Sequence, residues 1–153
     1  MVKVNFKKII KYVTTTTVFM AISLAVKYSA MFCINNNIKV SNNVFELLFV
    51  KNRGAAFSLF DTHTDSLIVL SWVVLAGIVG YVVKKSNKLS LLKINALATL
   101  TAGVSGNLYE RIHDGFVTDY IHLTFYNFPV FNASDILISI GTVLLIIALY
   151  VEK

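Results

Sequence analysis

Four long runs of apolar residues divide the chain, and charged residues gather between them. The runs span roughly 12–34, 67–83, 91–109 and 133–151. The fourth has 19 residues, and as an α-helix it would reach about 28 Å, close to the ~30 Å hydrocarbon core of a bilayer. The pattern predicts four transmembrane helices within a single integral membrane domain, 1–153.

The runs differ in how cleanly apolar they are. The second is uncharged throughout, whereas the third includes Lys93 and Asn107 and is the weakest. Lys27 interrupts the first run near its outer end, and a charge there must either reach the interface or find a partner. Both explanations stay open, and the nearest source of partners is the pair Glu110 and Arg111.

Small residues recur on the third run at four-residue spacing, at Ala98, Ala102 and Gly106. On a helix this spacing makes a stripe that another helix can approach closely. Close packing is the expected role. A narrow cleft for a ligand fits the same pattern.

Composition agrees with lipid as the solvent. The chain is 56% apolar and 14% charged, with a mean hydropathy of +0.71, whereas soluble domains are about a quarter charged. Nine of the fourteen basic residues lie on one side if the amino terminus is inside. This asymmetry predicts that both termini are cytoplasmic. No basic face with interleaved aromatic residues is present, so we expect no nucleic-acid partner.

Two segments then lie outside, roughly 35–65 and 110–132. The apolar, β-prone stretch 44–50 predicts a strand, and Asp-Gly at 114–115 predicts a turn. We therefore expect a small strand-containing platform at 35–65 that rests on the membrane surface.

Asp119 and Asp135 are the strongest candidates for chemistry. Taken alone, Asp135 is an ordinary first-turn acid of a helix capped by Asn132, and Asp119 is an ordinary loop acid. They lie 16 residues apart at the same membrane face. If they meet, they cannot both ionise cheaply, so one keeps a proton. Such a pair can activate a water and protonate a substrate carbonyl without a metal or cofactor.

Other chemistries have little support. His63, His113 and His122 belong to no metal-binding motif, and no serine-nucleophile elbow occurs. A transporter would need ionisable residues at mid-depth in several helices, which the second and fourth runs lack. A non-enzymatic scaffold stays open. In a scaffold, polar substitutions at the outer face would change stability but would leave peptide processing unaffected.

Three sequence blocks resemble the lipoprotein signal peptidases, also called signal peptidase II. Residues 52–57 read Asn-Arg-Gly-Ala-Ala-Phe, similar to the family's Asn-x-Gly-x-Ala-Phe. Residues 103–111 with 115–119 resemble its Gly-x-x-Gly-Asn-x-x-Asp-Arg … Gly-x-Val-x-Asp block. Residues 128–135 read Phe-Pro-Val-Phe-Asn-Ala-Ser-Asp, similar to Phe-Pro-x-Phe-Asn-x-Ala-Asp. Order and spacing match over essentially the whole chain.

The resemblance implies an all-α membrane protein, a four-transmembrane-helix bundle with a small extracytoplasmic β-cradle. It implies an aspartic endopeptidase that removes the signal peptide from diacylglyceryl-modified prolipoproteins, cleaving just before the lipidated cysteine. Asp119 and Asp135 would be the catalytic pair. The matching positions implied to hold the peptide and shape the site are Asn52, Gly54, Asn107, Arg111 and Asn132.

The expected partners are lipid-modified prolipoproteins and membrane lipids, for a monomer that needs no metal or other cofactor. The expected location is the bacterial inner membrane, with the active site at the extracytoplasmic face. Three positions depart from the family pattern. Glu110 replaces an aspartate, Ser134 replaces an alanine, and Ser23 replaces an aspartate that would partner Lys27.

Overall fold

The computed structural model describes residues 4–54 and 64–152. Within them lie four helices and two strands. In chain order these are α1 (Phe6–Asn35), β1 (Phe45–Asn52), α2 (Thr64–Lys85), α3 (Leu91–Asp114), β2 (Val117–Leu123) and α4 (Ala133–Val151). Among the described residues, α1, α2 and α4 are long and apolar enough to cross a membrane. The protein is therefore a mostly helical membrane protein with a small two-stranded sheet.

Helix α3 lies at the centre of the bundle, in contact with the other three helices. Its apolar and polar residues alike are covered by protein, as at Ile94, Ala98 and Asn107. Because its neighbours shield it, this helix does not need a uniformly apolar surface. This explains why its sequence is the least hydrophobic of the four.

The small residues of α3 serve close packing against α4. A Cβ at Gly103 would lie 2.5 Å from the carbonyl oxygen of Ser134, and one at Gly106 would collide with the Ser134 hydroxyl. From the other side, a Cβ on Gly141 of α4 would lie 2.5 Å from the backbone nitrogen of Leu100. The predicted packing role of the stripe is confirmed, and at Gly106 the space is filled by a side chain.

Helix α3 is longer than its sequence predicts. It continues past residue 109 to Asp114 and ends at Gly115, which adopts the left-handed conformation (φ 76°) as its cap. Glu110 and Arg111 therefore belong to the helix, and the outer segment expected from residue 110 begins five residues later. Glu110 is buried in this last part of the helix and pairs with Lys27 at 2.7 Å.

Strands β1 and β2 pair antiparallel, with Val50 opposite Asp119 and Asn52 opposite Val117. The strand expected at 44–50 is confirmed and runs slightly further. Of the platform expected at 35–65, residues 55–63 lie outside the described part of the chain.

The chain before α4 folds back onto β2. The backbone nitrogens of Tyr120 and Ile121 both donate to the carbonyl oxygen of Phe131, at 3.0 and 2.8 Å. This return places Asn132, the next residue, beside Asp119.

Candidate active site

Asp119 projects from β2 into a buried polar setting. Only 2% of the residue is exposed. Its two carboxylate oxygens accept hydrogen bonds from the side-chain amides of Asn52, at 2.8 Å, and Asn132, at 2.7 Å. One amide comes from the neighbouring strand and the other from the start of α4, so three segments meet at this carboxylate.

Asp135 lies in the first turn of α4 and is held by the same asparagine. The backbone N–H of Asn132 donates to Asp135 Oδ2, while the backbone N–H of Asp135 donates to Asn132 Oδ1, both at 3.1 Å. This reciprocal capping box confirms the predicted cap. The other oxygen of Asp135 accepts from the side-chain amide of Asn107 on α3, at 2.8 Å.

The environment of Asp119 favours its protonated form. Burial is the main cause and raises its pKa from 3.8 to about 6. The hydrogen bonds from Asn52 and Asn132 act in the opposite direction, and the negative charges of Asp135 and Glu110 raise the pKa further. The carboxyl therefore keeps its proton to a higher pH than an exposed aspartate does.

A cavity of about 990 Å³ opens onto both carboxylates. Its polar end contains five side chains or backbone groups of the predicted site: Asn52, Asn107, Arg111, Asp119 and Asp135. Most of the remaining lining is apolar and comes from α2, α4 and the segment before α4, among it Leu67, Leu70, Phe131, Ile136 and Ile140. A polar end and an apolar flank suit a substrate with a peptide segment and a hydrophobic segment.

Comparison with known proteins identifies the family. The family model of signal peptidase (SPase) II matches residues 13–151. A lipoprotein signal peptidase of Streptococcus thermophilus is 35% identical over 120 residues, covering 78% of each chain. One of Lactococcus lactis is 38% identical over 115 residues, covering 75% of each. The chain belongs to the signal peptidase II family.

The fold agrees with this membership. A bacterial membrane enzyme determined by the in meso method at 2.3 Å resolution superposes with a TM-score of 0.81 at 26% identity, over 98% of this chain and 92% of the other. Signal peptidase II proteins are proteases, and their known role is to cleave prolipoprotein signal peptides. The activity expected from the sequence is thereby confirmed, and so is the expectation that the chain is an integral membrane protein.

All five further site residues of this signal peptidase II chain lie at or beside the cavity. Arg111 reaches across it, and its Nη2 donates to the carbonyl oxygen of Gly54 at 2.7 Å. The Nε of Arg111 and the Oδ1 of Asn107 are buried without a hydrogen-bond partner among the described residues. The motif 52–57 extends beyond this point, and its residues 55–57 lie outside the described part of the chain.

The structure decides the partner of Lys27, which the sequence left open, and adds contacts behind the carboxylates that the sequence did not predict. Lys27 lies 2.7 Å from Glu110, so it has a buried partner and does not depend on reaching the interface. Ser23 and Ser134 share a 2.9 Å hydrogen bond. The hydroxyl of Tyr120 accepts from the backbone N–H of Ala133 at 3.2 Å. The odd position of Lys27 in an apolar run was the one sequence signal for this network.

His113 and His122 are not among the residues that line the cavity. His113 contacts Asp114 and His122 contacts Glu46, at 2.8 and 3.0 Å, while His63 is outside the described residues. Across 4–54 and 64–152, no group of three or more histidine, cysteine, aspartate or glutamate side chains is arranged to hold a metal ion.

Proposed function

We propose that Asp119 and Asp135 are the catalytic pair of this signal peptidase and that the chain cleaves diacylglyceryl-modified prolipoproteins just before the lipidated cysteine. One observation carries the proposal. Asn132 hydrogen-bonds to both carboxylates, one through its side chain and one through its backbone, and both line the same cavity. Two acids held by one residue at a substrate-sized opening form the arrangement that aspartic proteolysis needs.

The pair hydrolyses the peptide bond by sharing one proton. The ionised carboxylate removes a proton from a water lying between the two acids, and the water oxygen attacks the scissile carbonyl carbon. The protonated carboxyl gives its proton to the carbonyl oxygen, and a gem-diol forms. Transfer of a proton to the amide nitrogen then breaks the C–N bond and releases the signal peptide with a new carboxyl terminus. The lipidated cysteine keeps the free amine.

The polar and apolar parts of the cavity bind different parts of the substrate. Asn52, Gly54, Asn107, Arg111 and Asn132 hold the scissile segment extended across the carboxylates. The unpaired polar atoms of Asn107 and Arg111 supply one acceptor and one donor for its backbone. Apolar side chains of α2 and α4 receive the hydrophobic signal segment, and the acyl chains on the cysteine after the scissile bond stay in the bilayer.

The membrane arrangement follows from helix length and charge. Helix α3 has 24 residues and would extend about 36 Å, enough to cross the bilayer as a fourth span shielded by its neighbours. With Lys84 and Lys85 at the inner end of α2, both termini are cytoplasmic and the aspartates lie at the extracytoplasmic face of the inner membrane. The protein acts there as a monomer.

The test is cleavage of a diacylglyceryl-modified prolipoprotein by purified Asp119→Asn and Asp135→Asn variants in detergent. Each should lose at least about 1,000-fold in kcat, because removing one member of a cooperating catalytic group removes nearly its whole contribution. The exposed Asp65→Asn variant, at the outer end of α2, is the matched control and should cleave normally. Near-native turnover by either of the first two variants would rule the proposal out.

A further inference from the structure

Helix α1 is linked to the residue before each of the two aspartates, directly in one case and through Glu110 in the other, although none of its residues lines the cavity. Ser23 bonds to Ser134, which precedes Asp135, at 2.9 Å. Lys27 lies four residues later and therefore on the same helix face. Its connection to the other aspartate runs through Glu110.

Glu110 joins α1, α3 and β2 at one oxygen atom. Its Oε2 accepts from Lys27 Nζ at 2.7 Å and from the backbone N–H of Thr118 at 2.8 Å. Glu110 and Thr118 are each 3% exposed. Thr118 is the residue immediately before Asp119 in β2.

We propose that Glu110, neutralised by Lys27, is a positioning residue that holds β2 where Asp119 can share a proton with Asp135. This inference rests on the catalytic role proposed for the two aspartates. Glu110 acts through the strand backbone and touches neither the substrate nor the reacting atoms.

Because it is buried, the hydrogen bond between Glu110 and the Thr118 N–H is costly to break. An ionised carboxylate away from water is strongly destabilising unless its oxygens are paired, and a buried N–H without an acceptor is destabilising too. If Thr118 moved away, the Glu110 carboxylate and the Thr118 N–H would each lose a hydrogen-bond partner. Because neighbouring side chains of a strand point to opposite faces, Glu110 can hold the backbone at Thr118 while the side chain of Asp119 stays directed toward Asn132.

The same carboxylate adds a charge near the catalytic pair. The charged groups that act on Asp119 are Asp135 on α4 and Glu110 and Arg111 on α3. The negative charge of Glu110 contributes to raising the pKa of Asp119. Replacing it by a neutral group of the same shape should therefore move the limb of the pH–activity profile that Asp119 sets to lower pH.

The first experiment compares Glu110→Gln with Glu152→Gln, using the lipidated substrate and folded enzyme isolated in detergent. Glu152 pairs with Lys93 at 3.0 Å near the opposite end of the bundle, so the control also removes one Lys–Glu pair. Glu110→Gln should lower kcat by at least about tenfold, since small displacements of catalytic groups are costly. KM should stay within about twofold, and the limb of the pH profile that Asp119 sets should shift to lower pH. The control should match the wild type.

The second experiment separates positioning from stability. In Lys27→Met/Glu110→Met the buried ion pair becomes two apolar side chains of similar size, an exchange that often leaves stability unchanged. The Tm should fall only as far as loss of the single Thr118 hydrogen bond accounts for, while kcat falls by at least about tenfold because Thr118 has lost its acceptor. Lys27→Arg, which keeps the charge, should retain most activity.

The decisive outcomes are distinct. A folded Lys27→Met/Glu110→Met variant with wild-type kcat, or a folded Glu110→Gln variant with an unshifted pH profile, would overturn the inference. If Asp119→Asn remained inactive in the same assay, the proposed catalytic pair would still stand. If Glu110→Gln did not fold, the double variant would decide.

Discussion

The side-chain amide of Asn132 donates a 2.7 Å hydrogen bond to Asp119, and the oxygen of the same amide caps α4 by accepting from the backbone N–H of Asp135. One side chain thus fixes the start of a helix and the distance between a helix and a strand. The ordinary cap and the proposed catalytic arrangement are the same set of contacts. The effect of the cap on stability and its effect on catalysis can still be separated by comparing Asn132 with the capping residue of another helix.

Replacement of Asn132 by alanine should lower both stability and activity. Loss of the cap should cost about 1 kcal/mol, and loss of the amide donor to Asp119 should reduce kcat by at least about 100-fold. Asn5 is the matched control, because it caps α1 by accepting from the backbone N–H of Lys8. Thermal unfolding and cleavage of a lipidated substrate measure the two effects. Equal activity in Asn132→Ala and Asn5→Ala would contradict the prediction.

Asp119→Asn should stabilise the protein at neutral pH even as it abolishes cleavage. The pKa of Asp119 is about 6 in the folded protein and 3.8 as a reference. The folded state therefore holds a proton that the unfolded state has lost, and stability falls as pH rises from about 4 to about 6. Above that range the loss in the free energy of unfolding is complete and amounts to about 3 kcal/mol.

The measurement is the Tm of the wild type and of Asp119→Asn in detergent between pH 4 and pH 8, a range chosen to bracket both pKa values. The variant should have the higher Tm above pH 6, and the two curves should converge toward pH 4. Parallel curves over the whole range would show that the carboxyl is not protonated on folding.

Gly141→Ala and Gly77→Ala should change stability in opposite directions. At Gly141 an added Cβ would lie 2.5 Å from the backbone nitrogen of Leu100, so α3 and α4 must move apart, at a cost of about 1–3 kcal/mol. At Gly77 no atom lies within 4 Å of the added Cβ, and alanine should add about 0.5–1 kcal/mol in helical propensity. Thermal unfolding in the same detergent compares them. A stabilised Gly141→Ala would contradict the close approach.

Ser23→Ala and Ser134→Ala should each destabilise the protein more than the double variant does. Both hydroxyls are buried and bond to each other at 2.9 Å. Removing one leaves the other unsatisfied, at about 1–3 kcal/mol, whereas removing both can be nearly neutral. A double-mutant cycle on Tm measures the coupling. Additive effects would show that the two hydroxyls do not depend on each other.

Apolar periodicity and motif spacing predicted the helices, the first strand, the cap at Asn132 and the family. These features are local, since a helix needs only its own run of residues and a cap only the next three. The predicted third span stopped at residue 109, because apolar periodicity cannot show that Glu110 is buried. Its partner Lys27 is 83 residues away in the sequence, so the sequence offered this pair as one possibility and only the fold decided it.

The amino-acid sequence by itself determined which segments are helical, which residues carry acids and amides, and to which family the chain belongs. Tertiary structure alone decided that Asn132 bonds to Asp119, that Arg111 reaches Gly54, and that Ser23 of α1 bonds to Ser134, the residue before Asp135. The physical reason is that hydrogen bonds and ion pairs between distant segments depend on how helices and strands pack. That packing is set by steric fit across the whole bundle and not by any one stretch of the chain.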